Sequence, residues 1–414
     1  MPSQNELHVL IIGAGLGGLV LAQALRKQGI SFEMHEKTSD SRFQGWAIGI
    51  HSIINDLLEH FPSDMPPVDL ADIFLPLSLP AQMIFYGNNE LEPRYGVQDT
   101  GTKAVIRCNR QRLRSWLATN IHINFGNAAT TVEEISGNQV RVKFENGSSA
   151  VGDIVVGADG VNSAIRQQLV QPDPVHVLPI TTVVGEIVLS GKEFEKQLEL
   201  GYSGYVAHDA SSQDEGSGRI FVGLNSVNDD GKSGNYYWSV NYVDPTASKL
   251  PHWTAEASKA ERYQLALEKT SHLKPEFTEI IRQTGIEGMS DVQICLRELE
   301  LRDLPAGRVT LLGDAAHCMT PFRGEGGVQA MRDALYLSKA IELVGKSATD
   351  KSKMIRFMRE YQNEMLSRGS KAVRLSRDEW TKVSKEGRSS WGTKHSIIPF
   401  EKVTLNDIPF KLAK

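Results

Sequence analysis

The sequence predicts an α/β protein with a Rossmann-like parallel-sheet domain, a second lobe on an antiparallel sheet and a helical C-terminal segment. Near the N-terminus, an apolar strand, a glycine-rich turn and an amphipathic helix follow one another. Strands rich in aromatic and β-branched residues occupy much of residues 178–299, and a charged run with apolar residues at helical spacing follows residue 351. A chain of 414 residues is long for one core, so we expect two packed lobes.

The N-terminal segment has the pattern of a dinucleotide-binding βαβ unit. An apolar strand runs into Gly13-Ala-Gly15-Leu-Gly-Gly18, which opens a helix that ends at Gly29. In such units the first glycine forms the tight turn, the second lets backbone approach a pyrophosphate and the third lets helix pack on strand. A second strand closes on Glu36, at the position where an acid accepts from ribose hydroxyls. The segment therefore predicts one dinucleotide site.

Composition excludes several classes of protein. The net charge is −5 without a basic block, which argues against nucleic acid or anionic membrane as partners. The three cysteines, Cys108, Cys295 and Cys318, are far apart and predict neither a disulfide framework nor a metal site. The nearly uncharged residues 7–25 lack a basic segment before them and carry the dinucleotide glycines, so we expect a cytoplasmic protein without a signal peptide or membrane span.

Further elements of the first domain follow in order. Gly45 and Gly49 mark a loop that approaches a ligand or, alternatively, a surface turn. Asn109 is placed to cap a helix over residues 110–119. At about 100° per residue, Arg110 should point toward the α/β crevice, Arg112 to water and Arg114 to an intermediate direction. The remaining predicted elements of this domain are strands at 102–107, 130–135, 140–144 and 153–157, which include a small meander, and a helix at 161–169, whereas the strand predicted at 82–86 belongs to the second lobe.

The second lobe and the return to the first domain complete the pattern. We predict a discontinuous first domain (residues 1–75, 102–177 and 300–345), a second lobe (76–101 and 178–299) and a C-terminal helical segment (346–414). In the second lobe the predicted strands are 183–189, 219–224, 236–242 and 291–298, and the predicted helices are 255–267 and 275–283.

A third motif lies near residue 313. The buried strand 309–312 leads into Gly313-Asp314, and after Pro321 three glycines, Gly324, Gly326 and Gly327, precede a helix over 328–343. Backbone N–H groups at a helix start point outward, with the positive end of the helix dipole behind them. Such a place suits an anion or an electron-rich ring.

The motifs, in this order, resemble those of single-component FAD-dependent monooxygenases of the para-hydroxybenzoate hydroxylase fold. The resemblance covers most of the chain. It rests on the N-terminal fingerprint, Arg110 in Arg-x-x-Leu, Gly157-Ala-Asp159-Gly160 with Ser163 and Arg166, and Gly313-Asp314 running to Asp333-Ala-Leu. It implies bound FAD, transient NADPH or NADH, and transfer of one atom of molecular oxygen to a small organic substrate. An apolar aromatic or polycyclic substrate from secondary metabolism is the expectation, with hydroxylation and epoxidation both open. Oligomeric state is left open.

The resemblance also implies roles for individual residues. Glu36 would hold the adenosine ribose, Arg110 the pyrophosphate and Asp314 the ribitol hydroxyls, while Asp159 would be a second acid near pyrophosphate and nicotinamide. Arg42 and Gly49 match the loop that borders the flavin ring. The full cofactor set is Gly13, Gly15, Gly18, Glu36, Arg42, Gly49, Arg110, Asp159, Asp314, Gly326 and Gly327. No catalytic residue is assigned, and Arg107 and Pro321 are the candidates.

The chain departs from the family pattern at two positions. Val328 stands where the family usually carries Asn, and Glu325 where Gln is common. Glu186 lies near the point where relatives that hydroxylate phenolates carry Arg, and an acid there would disfavour an anionic substrate.

Other interpretations of these residues and of the whole chain stay open. Asp314 and Asp159 could be capping or turn acids, and Arg107 a surface charge. His51 and His317, and likewise Tyr236, Trp238 and Tyr242, are more often packing residues than site residues. The chain could instead be an FAD-dependent reductase or dehydrogenase that does not use oxygen, or a flavin-retaining binding protein or non-redox cyclase.

Overall fold

A computed structural model describes residues 7–38, 45–87, 89–209, 216–345, 351–381 and 396–411. The described strands are β1 (His8–Ile12), β2 (Ser31–Glu36), β3 (Ile48–His51), β4 (Gln82–Tyr86), β5 (Tyr95–Gln98), β6 (Val105–Cys108), β7 (Asn124–Phe125), β8 (Ala129–Ile135), β9 (Gln139–Phe144), β10 (Ser149–Gly152), β11 (Ile154–Gly157), β12 (His176–Ser190), β13 (Gly204–Ala207), β14 (Arg219–Val227), β15 (Ser233–Val243), β16 (Ile294–Glu298), β17 (Val309–Leu311) and β18 (Ser396–Ile397). The described α-helices are α1 (Leu16–Gln28), α2 (Ile54–His60), α3 (Arg110–Leu117), α4 (Ala164–Leu169), α5 (Gly191–Leu200), α6 (Lys259–Lys269), α7 (Pro275–Thr284), α8 (Asp314–His317), α9 (Gly326–Gly345) and α10 (Lys351–Thr381).

A five-stranded parallel sheet carries the three glycine-containing turns. Its strand order is β17-β11-β1-β2-β7, so β1, β11 and β17 lie side by side. Because the carboxyl ends of parallel strands meet at one edge, the turns after these strands face a common crevice. α1 covers the sheet and ends at Gly29, whose left-handed conformation (φ 71°) closes the helix. The predicted Rossmann-like unit is confirmed.

An eight-stranded sheet in the order β16-β12-β15-β14-β13-β4-β5-β18 forms the second lobe. Its pairs are antiparallel except β13 with β4. One face packs an apolar core against α5 and α7, represented by Phe194, Trp238 and Phe277. The opposite face remains available to line a site. The antiparallel second lobe and the small meander β8–β10 are therefore confirmed.

Several element boundaries differ from the prediction. The helix expected from residue 161 begins at Ala164, because the Ser163 hydroxyl accepts from the Arg166 N–H (2.9 Å) and caps it. Strand β12 runs from His176 to Ser190, well beyond the predicted residues 183–189. Helix α5 was missed because its apolar face carries few residues, of which Phe194 and Leu198 are buried.

The C-terminal helix α10 packs beside α9 on the first domain. The Tyr361 hydroxyl donates to the Leu311 carbonyl (2.8 Å), and Arg377 pairs with Glu298 (2.8 Å). Within residues 346–414 the described helix ends at Thr381, and β18 pairs with β5 of the second lobe. None of the helices in the described ranges combines the length and the apolarity needed to span a membrane.

Candidate active site

A cavity of about 940 Å³ lies where the parallel-sheet turns meet the free face of the eight-stranded sheet. Small-molecule and cofactor sites commonly measure about 300–1,000 Å³, so this one is near the upper end. Most predicted site residues line it: Gly13, Gly15, Glu36, Gly49, Arg107, Arg110, Asp159, Asp314, Pro321, Gly326 and Gly327. Gly18 lies behind the wall, and Arg42 lies outside the described residues.

The three glycines of the N-terminal turn have different structural roles. Gly13 has φ +113°, and a Cβ there would lie 2.3 Å from the Ala158 carbonyl oxygen. A Cβ on Gly18 would lie 2.2 Å from the Gly13 carbonyl oxygen, so this glycine lets α1 pack against the turn. Gly15 faces open space and precedes α1, which has no side-chain N-cap bond. The turn thus presents bare backbone and a positive helix end to the cavity.

Glu36 is fixed beside this turn. One carboxylate oxygen accepts from the Ala14 N–H (2.9 Å), and the other accepts from the N–H and the hydroxyl of Thr38 (3.0 and 2.9 Å). The acid lies at the cavity wall at the end of β2. Backbone N–H groups therefore hold the Glu36 carboxylate at a fixed distance from the Gly13 turn.

Asp314 lies deep in the protein, but it lines the cavity, and its side chain is exposed there. It is the first residue of α8, whose N-cap is Gly313, a residue without a side chain. Burial raises the pKa of its carboxyl, and the nearby Arg110 charge offsets part of that shift. Asp314 faces the cavity, where hydroxyl donors from a ligand would satisfy its oxygens.

Gly326 and Gly327 form the first turn of α9 at the cavity wall. A Cβ on Gly327 would lie 2.6 Å from Ile48 Cδ1, so glycine lets the side chain at the start of β3 pack closely on the first turn of α9. Glu325 pairs with Arg323 (2.8 Å) and accepts from Gln329 Nε2 (3.1 Å), while Val328 is buried in the core. The two family departures thus fall outside the cavity wall and leave the backbone N–H groups in place.

A buried charged network supports the Gly313 turn from behind. One oxygen of Asp333 accepts from the Gly313 N–H (2.7 Å) and lies 2.6 Å from His317 Nε2, and the other accepts from Arg368 (2.7 Å). Burial opposes both charges, but the pKa of Asp333 is lowered by His317 and Arg368 and that of His317 is raised by Asp333. His317 is therefore a packed, charge-paired residue.

His51 also lies outside the cavity wall. Burial lowers the pKa of its imidazole, which favours the neutral form.

The arginines of α3 are arranged differently from the prediction. Asn109 caps the helix by accepting from the Arg112 N–H (3.1 Å), and Arg110 faces the cavity as its first residue. Arg114, expected to be intermediate, is buried and donates to the Ala14 carbonyl (3.2 Å). Arg112, expected in water, is half-buried and donates to the Asp72 carbonyl (3.0 Å). Residues four apart share a helix face, which is why Arg114 follows Arg110 toward the crevice.

The two carboxylate oxygens of Asp159 have different surroundings. Oδ2 accepts from the Ala164 N–H (2.8 Å) at the start of α4, as a turn acid would. Oδ1 is buried with no hydrogen-bond partner among the described residues, and the residue lines the cavity. Burial raises the pKa of this carboxyl.

The sheet side of the cavity holds residues that the sequence did not single out. Strand register places Arg219 opposite Asn241 and Phe221 opposite Ser239, and with Tyr237 these side chains line the wall. Because side chains alternate along a strand, the neighbouring Tyr236, Trp238 and Tyr242 point into the lobe and are buried there, as expected for core residues. That alternation places Tyr237 on the face opposite to Trp238, but it does not decide which face meets the cavity.

Arg107 and Glu186 also have defined places. Arg107 is half-buried in the cavity wall, so the surface-charge interpretation is wrong. Glu186 is exposed, accepts from the Ser290 hydroxyl (3.1 Å) and is not part of the wall. The expectation that this acid repels an anionic substrate therefore has no structural basis.

The dinucleotide half of the cavity fits FAD. Gly15 leaves room that a Cβ would fill, two helix N-termini face the space, and Glu36 and Asp314 supply acceptors at separate points. Glycine-rich backbone at helix starts suits a pyrophosphate and the electron-rich edge of a flavin.

Known proteins are similar to this chain in sequence and in fold. The FAD binding domain family matches residues 6–376. An FAD-dependent monooxygenase of Trichoderma harzianum is 43% identical over 98% of this chain and 100% of its own, and one of Emericella nidulans is 28% identical over 81% and 86%. In solved structures, Klebsiella pneumoniae HpxO complexed with FAD and uric acid has a TM-score of 0.68 at 21% identity (93% and 90% covered). The 2,6-dihydroxypyridine-3-hydroxylase of Arthrobacter nicotinovorans has a TM-score of 0.71 at 15% identity (97% and 100% covered). Both structures show the same fold.

Proposed function

This chain belongs to the FAD binding domain family and is an FAD-dependent monooxygenase; from that premise we propose that it uses NAD(P)H and molecular oxygen to insert one oxygen atom into an aromatic or polycyclic small molecule. One observation carries the proposal: a single cavity joins a dinucleotide cradle to an aromatic sheet face. A substrate on that face would lie beside the flavin. The names of the fungal relatives and the small-molecule ligand of HpxO support a tailoring role in secondary metabolism.

The proposed roles follow from the chemistry of each group. The turn at Gly13 and Gly15 and the α1 N-terminus bind the pyrophosphate, with Arg110 as counter-ion. Glu36 accepts from the adenosine ribose and Asp314 from the ribitol chain. Backbone N–H groups at the start of α9 stabilise negative charge on the reduced ring.

The remaining steps depend on the cofactor and on exclusion of water. Reduced FAD, when bound, supplies the electrons that activate oxygen. The apolar and aromatic wall excludes water from the substrate while the transfer occurs. NADPH or NADH docks transiently, because the described residues hold one dinucleotide fingerprint.

Isotope transfer tests the proposal. Purified FAD-loaded protein is screened against aromatic and polycyclic metabolites for substrate-stimulated NAD(P)H oxidation, and positive reactions are repeated under ¹⁸O₂. One labelled atom in the product is expected. NAD(P)H oxidation that gives an unlabelled, reduced product would favour a reductase. Absence of flavin reduction by either nicotinamide would favour a binding protein or a non-redox cyclase.

A further inference from the structure

We propose that Arg107, held in place by Tyr237, binds an organic oxyanion of the substrate, a carboxylate or an ionised enol or phenol. The inference rests on the proposed function, because it places the anion in the substrate half of that cavity. In this proposal Arg107 determines the specificity for the anion, and Tyr237 positions Arg107. It also replaces the expectation, drawn from Glu186, that anionic substrates are disfavoured.

Arg107 carries a positive charge that no described carboxylate compensates. Arg107 is half-buried in the cavity wall, and its one described side-chain hydrogen bond is from Nη2 to the Tyr237 hydroxyl (2.7 Å). Within the described ranges no carboxylate lies at ion-pair distance from it. Its Nε is buried and has no hydrogen-bond partner there. A half-buried guanidinium with most donors unused is costly unless an anion completes it.

Tyr237 holds the guanidinium without neutralising it. The Tyr237 hydroxyl donates to the Ala47 carbonyl (3.1 Å), so it accepts from Arg107. Burial raises the pKa of this hydroxyl, which keeps it neutral. Trp46 stacks on the Tyr237 ring with centroids 5.4 Å apart and planes 12° apart, which fixes the ring.

The position of the guanidinium suits a substrate anion. Arg107 Nη1 lies 3.7 Å from the point where a Cβ on Gly49 would stand, in strand β3 and within the segment predicted to border the flavin. On the other side, its Cζ lies 5.9 Å from the centroid of the Phe221 ring on the sheet. If a conjugated ring packs against Phe221, an oxyanion on that ring would therefore lie beside Arg107. The planar guanidinium fork matches a carboxylate or an enolate with a neighbouring carbonyl.

Ligand binding to the FAD-loaded protein tests this without turnover. Four probes form two matched pairs: 2-naphthoate with neutral 2-naphthamide, and 2-hydroxy-1,4-naphthoquinone, an enol ionised at neutral pH, with its neutral methyl ether. Binding is followed by flavin absorbance and by tryptophan fluorescence. The Trp46→Phe variant shows how much of the fluorescence change comes from Trp46 in the cavity wall. We expect tighter binding of at least one anion than of its neutral partner. The two pairs distinguish a carboxylate from an enolate.

Variants assign the effect to Arg107. Arg107→Gln should weaken anion binding by about 10- to 100-fold, as expected for a lost charged hydrogen bond, and should change neutral binding little. Tyr237→Phe should reduce the anion-to-neutral affinity ratio by a smaller factor and add little in the double variant. Arg112→Gln, outside the cavity wall, is the matched control.

The outcomes are decisive. The proposal is overturned if the wild-type protein binds neither anion more tightly than its neutral partner, or if Arg107→Gln weakens both members of a pair equally. It is also overturned if Arg107→Gln releases FAD, since Arg107 would then serve the cofactor. Selective anion binding without ¹⁸O transfer would retain this assignment and reject the proposed function alone.

Discussion

The Asp333 carboxylate holds the Gly313 turn by accepting its backbone N–H at 2.7 Å. The same oxygen pairs with His317, and the other oxygen pairs with Arg368. Asp333 is fully buried and lies one layer behind Asp314, the residue that faces the cavity. The local geometry of the predicted ribitol-binding acid therefore depends on a charged group that does not line the cavity.

Asp333→Asn should destabilise the fold strongly. The substitution keeps the size of the side chain but leaves His317 without its buried counter-charge and Arg368 with Glu364 alone, and breaking a buried pair costs roughly 3–5 kcal/mol. The free energy of unfolding in urea measures the loss. Asp229→Asn, at an exposed position, is the matched control and should change stability by less than about 0.5 kcal/mol. Similar small effects from both would show that the network is not a stabilising one.

The contribution of His317 to stability should depend on pH. Asp333 raises the pKa of His317 in the folded protein, so its stabilisation is fully present below the unfolded value of about 6.5 and is lost as pH rises through the folded pKa. The difference in unfolding free energy between wild type and His317→Gln should therefore be larger near pH 6 than near pH 9. A difference that does not change with pH would mean that His317 has the same pKa in the folded and the unfolded protein, and a smaller difference near pH 6 would mean that the folded protein holds His317 neutral.

Asp314→Asn should weaken FAD retention while leaving the fold intact. The carboxylate faces the cavity, and charged hydrogen bonds contribute about 1.5–3 kcal/mol each. Its raised pKa means that wild-type FAD affinity should begin to fall at a higher pH on acidification than an ordinary carboxyl would give. Flavin fluorescence titration measures both effects. Unchanged FAD affinity in the variant would remove Asp314 from the cofactor site.

The sequence was most informative where local geometry determines the structure. Gly13, Gly18 and the Asn109 cap follow from the backbone requirements of a turn and a helix start, so pattern alone located them. Tyr237 could not be found in that way. Its neighbour Trp238 is equally aromatic, and only the packing of helices on one face of the sheet decides which of the two meets the cavity. Local rules do not carry that tertiary information.

Arg114 shows the same limit on a helix. Spacing placed it near Arg110, but its burial depends on contact with the Ala14 carbonyl, a group 100 residues earlier in the chain. Arg112 likewise leaves bulk water because the segment around Asp72 packs beside α3. Helical periodicity gives the direction of a side chain, whereas the neighbours that receive it come from the fold.

The three arginines of α3 should therefore separate into cofactor binding and stability. Arg110→Ala should weaken FAD binding by about 10- to 100-fold, because its charge faces the cavity near the glycine turn. Arg112→Ala should change FAD affinity little, since its guanidinium lies outside the wall and donates to a backbone carbonyl. Arg114→Ala should lower stability by a few kcal/mol, since it leaves a buried gap and an unpaired Ala14 carbonyl at the turn. FAD dissociation and urea unfolding are measured for all three variants at one ionic strength. If Arg112→Ala loses as much FAD affinity as Arg110→Ala, Arg110 is not the pyrophosphate counter-ion. If Arg114→Ala leaves stability unchanged, Arg114 does not anchor the turn.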